Sequence, residues 1–260
     1  MSIGGRWSPR RIRLGLGSRT ASCVPVGLGW QPESAIKDHT NQSAIGRVIA
    51  RPQPTWLYHF THPRHLATVI SDGMWCDTVM QENGLLETEV GHRGVKERRR
   101  SRPVDVGPGG VTADYVPFYY APRSPMMYVI NQGKVDEYQE GLDPLVYLVT
   151  TPEALSVTGC EMVVSDGNCA NAITEFSADL DTLDEMVDWE LMEATWWNNT
   201  DEDGDRMRRR AAEFLVHQHL PWSAIQRVAT RTESILERAQ TILDSHRATP
   251  QVELCPNWYY

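Results

Sequence analysis

A carboxylate, Glu213, heads the apolar run FLV, directly after Arg208, Arg209, Arg210 and a pair of alanines. A carboxylate at the lip of a core is costly unless it is paired or used. It is either a partly buried functional acid or an exposed acid answering the RRR cluster at i, i+3 or i, i+4. HFTHPRH places His59, His62 and His65 three residues apart. That spacing suggests a metal, but Pro63 divides the run between two elements and no HExxH is present. RGVKERRRSR carries Arg93, Lys96, Arg98, Arg99, Arg100 and Arg102, and RMRRR at 206–210 is a second basic cluster. Guanidinium forks match phosphate oxygens, although each cluster alone is also what a solvated face looks like. DYVPFYYAPRSPMMY, residues 114–128, holds five aromatic residues among three prolines. Rings that stack on bases beside arginines that hold phosphates would suit single-stranded nucleic acid or a dinucleotide.

Familiar motifs are missing from the chain. GPGG at 107–110 is neither a GxGxxG fingerprint nor a Walker A loop, and no GxSxG or HxE…PCxxC occurs.

These residues need elements to hold them. TWLYHFTH at 55–62 alternates as a short strand, and Pro63 then opens a helix that Gly73 closes. Residues 81–113, which include the first basic run, look irregular. The prolines of 114–128 argue against both a helix and a central strand there. LVYLVT at 145–150 reads as a buried strand. Thr151 then caps a short helix begun by Pro152. EMVVSDGN at 161–168 reads as a strand ending in a turn, and 181–197 as a helix with an untidy apolar stripe. RMRRRAAEFLVHQHL begins helix-like and ends as a strand. PWSAIQRVATR adds a turn and strand, and ESILERAQTILDSH a further helix. Strands and helices without regular βαβ alternation indicate an α+β class with a mixed or antiparallel sheet.

A chain of 260 residues with 41% hydrophobic and 23% charged residues suits one domain with an extension. The net charge is −9, and it becomes −14 once the five arginines of the acid-free residues 1–32 are set aside. Such a balance argues against nonspecific attraction to nucleic acid or anionic membranes. Residues 1–52 are expected to be a disordered basic, glycine-rich extension and 53–260 the folded domain. Five cysteines without a CxxC pair suggest thiols in a reducing compartment. No apolar run approaches the ~20 residues of a membrane span, and no secretory h-region is present.

Taken together, YHFTH at 58–62, VKERRRSRPV at 95–104, GPGGVTADYVPFYYAPRSPMMYVI at 107–130, SDGNCA at 165–170, RRRAAEFLVH at 208–217 and WYY at 258–260 resemble the DarT family of DNA ADP-ribosyltransferase toxins. The resemblance runs in order over residues 55–260. It implies the ADP-ribosyltransferase fold, a split sheet with flanking helices that clamps NAD. It implies transfer of ADP-ribose from NAD, as co-substrate and without a metal, to a base in single-stranded DNA. Thymine is the usual target and guanine that of a related branch. A macrodomain antitoxin of the DarG kind would be the partner, and the enzyme would act in the cytoplasm as a monomer, without a membrane.

Position by position, the resemblance makes Glu213 the catalytic glutamate and Arg99 the assisting arginine. His59, Thr61, His62, Arg98 and Tyr119 fall on the NAD side, with Tyr119 on nicotinamide. Arg123, Ser124, Met126, Asn168 and Arg209 fall on the DNA side, while Phe118 and Tyr120 pack inward. DGNCA stands where many members read DGHA, so Asn168 takes the place of a histidine and Cys169 shifts the spacing. Two readings of other classes remain, a noncatalytic single-strand binder and a metal-dependent nuclease built on the histidines.

Overall fold

The computed structural model describes residues 50–85 and 90–260. The expectation of disorder for residues 1–52 falls almost wholly outside the described residues. The strands are β1 (Leu57–Thr61), β2 (Met74–Trp75), β3 (Tyr115–Tyr119), β4 (Val146–Thr150), β5 (Met162–Ser165), β6 (Phe176–Ser177), β7 (Glu213–His217), β8 (His219–Leu220), β9 (Arg227–Thr230) and β10 (Val252–Leu254). Eight of them form one sheet in the order β10-β9-β4-β1-β3-β7-β5-β6, and β2 pairs with β8 in a small second sheet. Every pairing in the large sheet is antiparallel except β9 with β10. This is the α+β, mixed and mainly antiparallel arrangement expected from the sequence.

The large sheet is divided in the middle. β1 pairs with β4 along its whole length, but it meets β3 only at Tyr58 opposite Tyr119. Pro117 lies on the diverging side of β3. Its missing N–H therefore leaves no unmet partner on β1, and the carbonyl it presents there accepts from the His59 Nδ1 at 2.8 Å. A proline is tolerated in a central strand here because the neighbouring strand has already turned away.

Helices α1 (Leu66–Asp72), α2 (Asp77–Glu82), α3 (Arg93–Ser101), α4 (Pro125–Asn131), α5 (Pro152–Ser156), α6 (Leu183–Met186), α7 (Trp189–Glu193), α8 (Arg206–Arg209) and α9 (Glu233–Ser245) flank the sheet. Several begin as their caps dictate. Thr151 accepts from the Ala154 amide at 3.2 Å with Pro152 in the first turn, and Ser124 accepts from the Met127 amide at 3.2 Å with Pro125 following. Gly73 ends α1 with φ +79, and a Cβ there would lie 2.3 Å from the His219 ring.

Three expectations are corrected. The basic run within 81–113 is helical: His92 caps α3 through the Gly94 amide, and Arg93 pairs with Glu97 one turn on. The helix read over 181–197 is broken into a short 3-10 turn, α6 and α7, because Val187 is extended and Asp188 caps a fresh start through the Leu191 amide. The stretch 114–128, read as no regular element, supplies both β3 and α4, with Pro125 in the first turn where its missing N–H costs nothing.

One face of the sheet carries a continuous apolar layer that includes Leu57, Val116, Phe118, Val146, Leu148, Val164, Phe214, Val216 and Val228. The other face carries two separate layers. One gathers Tyr58, Tyr147, Val149 and Ala229 under Met127 and Ile130 of α4, and the other gathers Tyr115, Val163 and Leu215 with Val104 and Cys169. The polar site lies on this second face, at the row where Tyr58, Tyr119 and Glu213 stand side by side on neighbouring strands.

Candidate active site

Glu213 is the first residue of β7 and is only 3% exposed. The register sets it opposite Tyr119 of β3, so the two side chains share a face. α3 packs against the turn Thr112–Asp114 that leads into β3 and extends Arg99 to the site, where its Nη1 donates to Glu213 Oε2 at 2.7 Å and its Nη2 donates to the Thr112 carbonyl at 3.3 Å. The other carboxylate oxygen, Oε1, accepts from the Cys169 amide at 3.2 Å. The acid is therefore buried with both oxygens held, the condition under which a buried carboxylate is tolerated. Burial would lower the Arg99 pKa, but the Glu213 charge and hydrogen bond, together with the nearby Cys169 and Tyr119, outweigh it and the guanidinium stays charged. Burial, reinforced by the Glu213 charge, raises the Tyr119 hydroxyl and the Cys169 thiol, which remain protonated. Tyr119 is only half-buried and its ring lies nearly parallel to Phe60, with centroids 6.5 Å apart.

His59 is pushed down to about 4 by burial, against which its bond to the Pro117 carbonyl works only in part. The ring is neutral at pH 7. Its Nδ1 carries the hydrogen that Pro117 accepts, which leaves Nε2 as an acceptor. Thr61 follows on the same side of β1, with Oγ1 3.1 Å from the His65 Nδ1. The site offers a carboxylate with its countercation and a ring face, while the neutral imidazole fills the break between the two half sheets, its ring 5.7 Å from Phe118 on the alternate face of β1.

The structure thus brings Arg99, Tyr119 and Glu213 together and sets His59 and Thr61 on the adjoining strand. Arg98 points outward and makes no ion pair among the described residues. Phe118 and Tyr120 are buried in the continuous core, as the alternation of an extended strand requires. Arg123 and Met126 are accessible to solvent, and the Arg123 Nε donates to the Tyr259 carbonyl at 2.9 Å.

Two further expectations are corrected. Ser124 is fully buried and its hydroxyl is the cap of α4, so it presents nothing to a ligand. His62 is 1% exposed, and its Nδ1 accepts from the Arg64 amide at 3.1 Å while Tyr138 and His65 cover the ring. Asn168 turns its Oδ1 onto the Ala170 amide at 2.9 Å, an Asx turn within its own loop. Arg209 is engaged by Asp188 at 3.2 Å and Asp203 at 2.6 Å. Among the described residues, no group of three His, Cys, Asp or Glu side chains is placed to hold a metal ion.

Reasoning from sequence missed two contributors. The Cys169 amide holds the Glu213 carboxylate through the backbone, for which no residue type is a signal. Arg210 is 3% exposed, and its Nη2 donates to the Arg123 carbonyl at 2.9 Å, tying the segment before Glu213 to the loop after Tyr119.

Three comparisons bear on this geometry. A family model described as ssDNA thymidine ADP-ribosyltransferase, DarT, matches residues 58–260. A DNA ADP-ribosyl transferase of Mycobacterium tuberculosis (strain ATCC 25618 / H37Rv) is 36% identical over 235 residues, 89% of this chain and 98% of the relative. That of Thermus sp. (strain 2.9) is 32% identical over 211 residues, 80% of this chain and 98% of the relative. The structure of Thermus sp. 2.9 DarT in complex with ADP-ribosylated ssDNA superposes with a TM-score of 0.75 at 31% identity, covering 82% of this chain and 99% of that one. Its complex with NAD+ gives a TM-score of 0.71 at 30% identity, with 81% and 100% covered. Fold and sequence agree, and the chain belongs to the DarT family of DNA ADP-ribosyltransferases.

Proposed function

We propose that this protein transfers ADP-ribose from NAD to a thymine in single-stranded DNA. The observation that carries the reading is the buried Glu213 carboxylate, held by Arg99 beside the half-open Tyr119 ring at the split of the sheet. In this reading the glycosidic bond between the ribose C1′ and nicotinamide breaks, and positive charge builds on the ribose. Glu213, anchored at both oxygens, accepts from a ribose hydroxyl and stabilises that charge. The ring nitrogen of the base forms the new bond to C1′ and loses its proton, and nicotinamide leaves. Arg99 stays protonated and serves as the countercation, so the proton of the base passes to the Glu213 carboxylate.

Tyr119 gives the nicotinamide ring a stacking surface. His59 and Thr61 line the ribose side from β1, and exposed Arg98 meets phosphate. Arg123, Met126, Arg209 and the Asn168 loop form the wall that meets DNA. His62 and Ser124, spent as buried caps, are left out of the site. A single-stranded substrate suits the chemistry, because the reacting edge of the base is covered in a duplex. We read the protein as the monomeric toxin of a toxin–antitoxin pair, restrained by a macrodomain antitoxin that removes the mark. Its action belongs in the compartment that holds both DNA and NAD, the cytoplasm. No described helix is long and apolar enough to cross a membrane.

The test is a mass measurement on oligonucleotides incubated with protein and NAD. A gain of one ADP-ribose on thymine-containing strands is expected, with fragmentation placing it on thymine and with none for Glu213→Ala. Adducts on guanine would move the target to the other base. Retention of the oligonucleotide without a mass gain would make the protein a noncatalytic binder.

A further inference from the structure

Glu213 is held by its backbone as well as by its carboxylate, and one side chain does this. Ser165, the last residue of β5, is fully buried. The ladder between β5 and β7 ends at Val164 opposite Phe214, so Ser165 stands where the next rung would be, beside Glu213. There a side chain replaces the backbone: the Ser165 Oγ accepts from the Glu213 N–H at 2.9 Å. The same hydroxyl donates to the Gly167 carbonyl at 2.8 Å and accepts from the Cys169 thiol at 3.3 Å. One hydrogen and two lone pairs are all used, so the group is fully satisfied inside the protein.

The bond to Gly167 bends the chain back, and the Cys169 amide comes to rest on Glu213 Oε1 at 3.2 Å. The turn is tight against α8, and a Cβ on Gly167 would lie 2.3 Å from the Arg208 Nη1. The Asn168 amide also donates to the Arg208 carbonyl at 3.0 Å. The loop is thus fixed on its outer side by α8 and on its inner side by one serine hydroxyl.

We propose that Ser165 is a positioning residue for the transfer reaction. Its hydroxyl fixes the peptide that bears Glu213 and folds the loop whose Cys169 amide holds the second carboxylate oxygen. Arg99 sets the other oxygen from above, so the carboxylate has one orientation only while Ser165 is in place. The proposal rests on the reading of Glu213 as the group that stabilises the ribose. Ser165 touches neither substrate, so its loss acts on kcat rather than on binding.

The experiment compares Ser165→Ala, Ser165→Thr and Val163→Ala in the full chain. Val163 is a buried residue on the same strand and serves as a control for local stability. Ser165→Ala is expected to lower kcat by roughly 10–100-fold, with KM for NAD and for the oligonucleotide changed by less than about twofold. Ser165→Thr keeps the hydroxyl and recovers most of kcat. Val163→Ala lowers Tm and leaves kcat near wild type well below that temperature. In Ser165→Ala, amide hydrogen exchange quickens at Glu213 and Cys169 while Leu215 stays protected. The proposal is overturned by a Ser165→Ala enzyme with wild-type kcat, by an equal loss in Val163→Ala, by a threonine variant as slow as alanine at unchanged Tm, or by unchanged exchange at the two amides. A wild-type protein that transfers nothing would defeat the functional reading, and the exchange data would still judge the clamp.

Discussion

The two arginine clusters look alike in the sequence and are used differently in the fold. On α3, Arg99 turns inward to Glu213, while Arg98 stays exposed and makes no ion pair among the described residues. On α8, Arg208 is bound by Asp166 at 2.8 Å and by Asp205 at 2.7 Å, Arg209 by Asp188 and Asp203, and Arg210 is buried against a carbonyl. The neighbours make the difference. NNTDEDGD, just ahead of α8, supplies Asp205 three positions before Arg208 and Asp203 six before Arg209, and the loop after β5 adds Asp166. α3 has Asp77 for Lys96 and Arg100, and Glu97 for Arg93. Cation density therefore does not mark a ligand site by itself. The carboxylates within reach decide whether an arginine is neutralised within the scaffold or left open to solvent.

Substitutions can break that contrast, and the largest effect is expected at Arg99. Arg99→Ala removes the partner of a buried carboxylate, so transfer should fall by ~100–1,000-fold and stability by about 3–5 kcal/mol. Initial rates and urea unfolding measure both, and a variant with near-normal rates would place Arg99 with the scaffold arginines.

Acid probes the strand that borders the site. Folded His59 titrates near 4 instead of the ordinary 6.5, so the unfolded chain takes up this proton first as pH falls. Its contribution to stability is complete above about pH 6.5 and is lost as pH drops toward 4, by at most about 3 kcal/mol. His59→Gln should flatten the pH dependence of Tm across that window. An unchanged slope would mean that the ring is solvated.

Arg208→Ala should cost about 1–3 kcal/mol of stability through its two carboxylates, while kcat measured well below Tm stays within about threefold. A large loss of kcat at intact stability would join α8 to the chemistry and dissolve the contrast. The smallest effects separate exposed Arg98 from half-buried Arg209. Arg98→Ala should raise KM for a phosphate-bearing substrate by ~3–10-fold and reduce its salt dependence, with Tm unchanged. Arg209→Ala should change KM for the oligonucleotide by less, because two carboxylates already hold its guanidinium. The reverse order would show that Asp188 and Asp203 release Arg209 to DNA.

Much of the local structure was legible from short-range physics. Thr151 before Pro152, Gly73 after an apolar stripe, and the alternation in TWLYHFTH each dictate an element within a few residues. α3 escaped because its evident feature was charge, while the cap at His92 and the Arg93–Glu97 pair that favour a helix are weak signals. Pro117 looked incompatible with a central strand because the divergence of β1 from β3 cannot be read locally. Ser124 and His62 were assigned to ligands by position. Their side chains proved to be caps, and the same atoms serve poorly in both roles. The Ser165 hydroxyl and the Cys169 amide gave no warning, since one is a common residue type and the other is backbone.

The sequence by itself determined which residues could take part: Glu213 at the head of an apolar strand, Arg99 in a basic run, Tyr119 among prolines and His59 in an alternating strand. Local propensity and side-chain chemistry are properties of a few neighbouring residues, so they can be read directly. Only the tertiary structure decided which of those residues meet. Arg99 and Glu213 lie 114 positions apart and come within 2.7 Å because α3 is tied to the turn before β3 while β3 and β7 place Tyr119 and Glu213 side by side. It also decided which arginines are neutralised and which oxygen each donor holds. Those outcomes depend on register, burial and long-range pairing, and no single segment of the chain contains them.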